Sequence, residues 1–172
     1  MIARPVMWLA VATVVGAASS CARDREASVP EEKQLEFGRH RVRVSVPTGW
    51  EMLDQGRQKR FRKGEFEIVL QSLGPATPSP HDLDGLVEWG LTALGQDQRS
   101  EIKSRHVSTL DGREAVDIET WNRLDHSNPG RIFLVSDDGD VLALQTVRMA
   151  FEDSLAAFDT IRGSLHFASD RR

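Results

Sequence analysis

Residues 35–47 read Leu35-Glu36-Phe37-Gly38-Arg39-His40-Arg41-Val42-Arg43-Val44-Ser45-Val46-Pro47, with apolar and polar side chains alternating on both sides of Gly38. A period of two marks a strand with one buried face, so two strands joined at Gly38-Arg39 are predicted. Pro47 lacks an N–H to continue the ladder, and Thr48-Gly49-Trp50 turns the chain away. Another strand is expected from about Phe66 to Leu73, with Phe66, Ile68 and Leu70 on one side.

The period then changes. Gly74-Pro75-Ala76-Thr77-Pro78 is rich in breakers, and Ser79-Pro80-His81-Asp82 reads as a helix start. Ser79 is the expected N-cap, Pro80 takes the first helical position, and Asp82 favours the positive end of the helix. Leu83, Leu86, Val87, Leu91 and Leu94 fall at helical spacing, on a face that should pack against a sheet.

Strand character returns from Ile102 to Leu110 and from Glu114 to Trp121, with the hairpin pair Asp111-Gly112 between them. Arg131 to Val135 and Val141 to Met149 flank a second turn, Asp137-Asp138-Gly139-Asp140. Ile132-Phe133-Leu134-Val135 and Val141-Leu142-Ala143-Leu144 are apolar at every position, which requires cover on both faces. A final helix from about Glu152 to His166 presents Leu155, Phe158, Ile161 and Leu165 on one side. Two helices with hairpin-linked, doubly covered strands predict an α+β fold, a three-layer α/β/α sandwich around a central antiparallel sheet.

The N-terminus changes the picture from fold to address. Met1 to Pro5 carries one cation, Arg4, and Val6 to Ala18 carries no charge, the layout of an export signal. That apolar run is shorter than the roughly 20 residues a membrane span needs. Cys21, the single cysteine, has no intramolecular disulfide partner. Ala18-Ser19-Ser20-Cys21 resembles the lipobox of bacterial lipoproteins, departing from it at Ala18, where that motif usually carries Leu. The resemblance implies acylation of Cys21 after cleavage before it. Ordinary signal cleavage near Ala18 or Ala22 and a retained N-terminal anchor are the alternatives. Ala22, rather than Asp, after the cysteine resembles the outer-membrane sorting pattern of some Gram-negative bacteria.

The expected organisation is a signal peptide over residues 1–20, a polar linker over 21–33, one domain over 34–168 and a polar tail over 169–172. Arg4 is the one basic residue in 1–20, so 21 of the chain's 22 Lys and Arg remain against 26 Asp and Glu. This acidity argues against nucleic acid as a principal partner, which needs a broad basic surface.

Val44-Ser45-Val46-Pro47-Thr48-Gly49-Trp50 resembles the "strand, Pro, x, Gly, Trp" opening of the PsbP-like group. That group spans photosystem accessory proteins, Mog-type proteins and bacterial envelope lipoproteins of the DcrB and LpqN kinds. Leu110-Asp111-Gly112-Arg113-Glu114-Ala115, the hairpin at Asp137 to Asp140 and the ending Ile161-Arg162-Gly163-Ser164-Leu165 match it as well. The resemblance covers about Leu35 to Phe167. It implies an antiparallel sheet between helices and mostly non-catalytic accessory or binding roles, and it supplies no catalytic residue.

Candidate chemistry is sparse. The run Arg57-Gln58-Lys59-Arg60-Phe61-Arg62-Lys63 holds five cations in seven residues. It suits contact with anionic headgroups or an acidic partner through Arg57, Lys59, Arg60, Arg62 and Lys63, although charge runs are common on ordinary surfaces and a solvated, edge-protecting strand or loop is the favoured reading. Trp50, Trp89 and Trp121 suit an apolar ligand cleft or ordinary core packing. His81-Asp82-x-Asp84 offers metal donors but no ligand motif supports them, and no metal or cofactor is expected. Asp137 to Asp140 superficially resembles a calcium loop, yet the twelfth position is Arg148 where Glu is required. His40, His106, His126 and His166 are scattered along the chain, and no Gly-x-Ser-x-Gly elbow is present.

These features lead to the expectation of a lipid-anchored envelope protein, joined to the membrane through Cys21, with a non-catalytic binding or accessory role toward an envelope protein. The alternatives are a small-molecule or lipid-binding module and, behind it, a hydrolase.

Overall fold

The need to cover doubly apolar strands organises the domain. A computed structural model describes residues 30–38, 40–76, 82–124, 129–147 and 152–168. The elements in chain order are β1 (Glu31–Phe37), β2 (His40–Val46), β3 (Glu51–Gln55), β4 (Gln58–Lys63), β5 (Phe66–Pro75), α1 (Leu83–Ala93), β6 (Ser100–Leu110), β7 (Arg113–Asn122), β8 (Pro129–Asp137), β9 (Asp140–Val147), α2 (Glu152–Ser164) and β10 (His166–Phe167). Seven strands form one antiparallel sheet in the order β3-β4-β5-β9-β8-β7-β6, and β1-β2-β10 form a second.

The apolar strands β8 and β9 lie inside the large sheet and supply both cores. Alternation sends Ile132, Leu134, Val141 and Ala143 to one face, where Leu86, Val87 and Leu91 of α1 cover them. Phe133, Val135, Leu142 and Leu144 face the other way, onto Ala157, Phe158 and Ile161 of α2 and Leu35, Phe37, Val42 and Val44 of the small sheet. The order of layers is thus α1, the large sheet, and a mixed layer of α2 with the three-stranded sheet.

Several expectations are corrected by this arrangement. The alternating pair β1–β2 does not join the large sheet but builds the small one, with β10 on its other side. Glu31 to Lys33, expected in the linker, pair with Val46 to Val44. Asp82, not Ser79, caps α1: its backbone is extended and its Oδ1 accepts from the Gly85 N–H at 2.7 Å. Ser79, Pro80 and His81 lie outside the described residues. The final helix stops at Ser164, and His166 belongs to a strand. The basic run, read as an edge strand or a loop, is the interior strand β4, with β3 outside it. Both Asp-Gly turns form as expected, with positive φ at Asp111 and Gly112 and at Asp138 and Gly139. Those angles define the type I′ geometry that matches the twist of a tight hairpin.

α1 comes close to the sheet through Gly90. A Cβ there would sit 2.4 Å from Cδ1 of the fully buried Leu134. Gly163 in α2 faces open space instead. Gly90→Ala is therefore expected to lower unfolding stability by about 1–3 kcal/mol through overpacking, despite alanine's higher helix propensity. Gly163→Ala should raise it by roughly 0.5–1 kcal/mol. Urea denaturation of both variants checks the opposite signs.

Candidate functional site

A concentrated group of titratable side chains lies where the small sheet meets the hairpin ends of the large one. His40 opens β2 shortly after Gly38, where φ is positive, and its ring faces the β8–β9 turn. Its Nδ1 lies 2.7 Å from an Asp137 carboxylate oxygen and its Nε2 lies 2.9 Å from an Asp140 oxygen. The ring is 9% exposed. Carboxylates only accept, so a ring nitrogen that bears hydrogen donates to the oxygen facing it.

The same seam extends through neighbouring side chains. Arg113 donates from Nε to Asp137 at 2.7 Å, and its guanidinium lies 4.0 Å from the centre of the Phe167 ring. Phe167 meets His40 edge-on at 6.3 Å. At the β6–β7 turn, Asp111 accepts from the Phe167 N–H at 2.7 Å and contacts His166 Nδ1 at 3.3 Å. Burial pushes the Asp111 carboxyl up, but the Phe167 N–H and the His166 ring outweigh it and hold the group below its ordinary value.

None of this seam was assembled from sequence. His40 and Phe167 are separated by most of the domain, and they meet because the two-residue strand β10 pairs beside β2. The acidic turn at Asp137 to Asp140, which resembled a calcium loop, instead directs Asp137 and Asp140 at the imidazole. No group of three or more His, Cys, Asp or Glu among the described residues is arranged to hold a metal ion.

Strand alternation divides the five-cation run between two faces. Lys59, 4% exposed, reaches Asp54 at 2.5 Å and lies 5.2 Å above the Phe37 ring. Arg60 and Arg62 point the other way and both donate to Oε1 of the buried Glu67, at 2.8 and 3.1 Å. Burial alone would raise the Glu67 carboxyl, but the hydrogen bonds from Arg60 and Arg62 outweigh it and lower the value. Gln58 completes the row, accepting from Arg60 and donating to Gln71. Arg57 and Lys63 stand exposed at the two ends. The structure thus brings Arg60 and Arg62 onto one carboxylate and separates them from Lys59.

The three tryptophans do not share a cleft, which corrects the apolar-cleft reading. Trp50 is buried in the core beneath the small sheet, and Trp89 packs at the margin of the α1 core. Trp121 lies half-buried under Lys103, whose Nζ is 4.9 Å from the ring centre. Among the described residues no helix is long and apolar enough to cross a membrane. Cys21 lies outside the described residues.

Two helices on opposite faces of an antiparallel sheet, one of them sharing its layer with a small three-stranded sheet, define an α+β domain with a PsbP-like fold. A solution structure of cyanobacterial PsbP (CyanoP) from Synechocystis sp. PCC 6803 matches 89% of this chain and 100% of its own, with a TM-score of 0.57 and 15% identity. A weaker likeness, TM-score 0.48 and 13% identity, links 81% of this chain to 91% of LpqN, a protein involved in cell envelope biogenesis of Mycobacterium tuberculosis. No family model and no curated protein matches the sequence.

The lowered Asp111 carboxyl sets a pH dependence. Its contribution to stability is complete above the unfolded value near 3.9 and is lost as pH falls through the lower folded value. Asp111→Asn keeps a residue tolerant of positive φ while removing the charge. It is expected to cost about 1 kcal/mol at pH 6, with the difference from wild type narrowing below about pH 4. Denaturant titrations at pH 6 and pH 3 measure both values.

Proposed function

We propose that this chain is a lipid-anchored bacterial envelope protein whose PsbP-like domain has a non-catalytic binding or accessory role at the membrane surface. The observation that carries the reading is Ala18-Ser19-Ser20-Cys21, placed directly after the uncharged stretch from Val6 to Ala18. The start of β1 at Glu31 leaves residues 22–30 between the cysteine and the first strand. Fully extended, such a stretch spans at most about 30 Å, which keeps the domain near the bilayer. Because one acyl chain anchors only marginally, several chains on Cys21 would give stable retention.

The fold supports a binding role by likeness alone. Three of the five cations of the β4 run are already engaged by Asp54 and Glu67, so membrane attachment in this reading rests on the acyl chains. Outer-membrane residence follows if the host is Gram-negative, from Ala22 after the cysteine. An envelope protein is the expected partner.

Growing expressing cells with radioactive palmitate tests the anchor. Label is expected in the wild-type chain and absent from Cys21→Ala. An unlabelled wild type, or equal label in the variant, refutes the reading.

A further inference from the structure

Beyond the C-terminal end of α1, a cavity of about 390 Å³ opens between the loop after the helix and strands β7 and β8. This volume falls within the roughly 300–1,000 Å³ range of small-molecule sites. Its floor is kept low by Gly130, since a Cβ there would sit 2.6 Å from Thr120 Oγ1. Thr120 is 4% exposed, and among the described residues its hydroxyl has no hydrogen-bond partner.

The walls of this cavity are biased toward donors. Gln96 uses its amide oxygen to accept from Ser100 Oγ at 2.8 Å, and Asn122 uses its own to accept from the Leu124 N–H at 2.9 Å. Each amide therefore keeps its NH₂ group, which can only donate. Arg99 is exposed at the rim, and its guanidinium has no partner among the described residues. Arg131 also lines it, though its guanidinium is held by Asp117 at 2.9 Å and Asp159 at 3.5 Å, and among the described residues the lining contains no carboxylate. In a chain of net charge −4, this is a local concentration of donors, with Arg99 as its available cation.

We propose that this cavity binds a small, acceptor-rich organic anion, a carboxylate or phosphate on a polar scaffold. Arg99 would take the charged group, where its planar fork suits two oxygens at once. Thr120 and the amides of Gln96 and Asn122 would meet hydroxyl or carbonyl oxygens of the scaffold. The site is separate from the tryptophans and from the His40 seam. It does not depend on acylation, so the anchor and the cavity fail or stand independently.

Isothermal titration calorimetry of the full-length chain in detergent, with gluconate, glucose 6-phosphate and neutral glucose as probes, tests the proposal. Saturable binding of at least one anion is expected, with glucose at least tenfold weaker. Arg99→Gln and Thr120→Val should each weaken the anion about tenfold, while Arg41→Gln, an exposed change on the small sheet, should leave it unchanged. Since Arg99 is exposed, its variant keeps the test valid even if Thr120→Val impairs folding. Absence of saturable binding by both anions, equal binding of glucose, wild-type affinity in Arg99→Gln, or an equal loss in Arg41→Gln overturns it.

Discussion

The clamp of His40 between Asp137 and Asp140 is the interaction on which the two-sheet arrangement depends. Strands β8 and β9 are apolar at every central position and cannot leave either face in water. One helix covers one face. The other face needs α2 and the small sheet together, and the small sheet is held by apolar packing that is smooth and carries little positional information. Hydrogen bonds are directional, so a buried imidazole held at both nitrogens fixes the position of β2 over the hairpin ends. Arg113 and Asp111 extend that fixed line to Phe167 and β10.

This use of the side chains decides what chemistry remains. A histidine beside aspartates invites a catalytic or metal reading, yet here the carboxylates occupy both ring nitrogens and tie one sheet to the other. The β4 cations follow the same logic, with Glu67 gathering Arg60 and Arg62 and Asp54 holding Lys59. Polar groups that a reader of the sequence would assign to partners are mostly engaged within the fold. The donors around Thr120 and Arg99 differ, because no acceptor among the described residues engages them.

Much of the architecture was legible because it rests on local signals. Asp111-Gly112 and Asp138-Gly139 require positive φ and so announce their hairpins, and the leucines of α1 repeat at helical spacing. Strand β3 and the interior position of β4 were hidden for a physical reason. Lys59, Arg60 and Arg62 are charged residues in an interior strand, tolerated there because Asp54, Glu67 and the Phe37 ring receive them. Separation of β1 and β2 into their own sheet was equally hidden, since alternation defines a strand's faces and not its neighbours. The seam depends on a two-residue strand too short to show any period. The polar cavity depends on Gly130 lying opposite Thr120, a register that only the folded sheet supplies.

If the histidine–aspartate seam is a structural lock, His40 and Asp140 must be energetically coupled. A double-mutant cycle of His40→Ala and Asp140→Ala, followed by denaturant unfolding at pH 6, measures that coupling directly. The account predicts that each change is destabilising and that the two together cost less than their sum, with a coupling of roughly 1–3 kcal/mol. Strict additivity, or a His40→Ala variant as stable as the wild type, would contradict it.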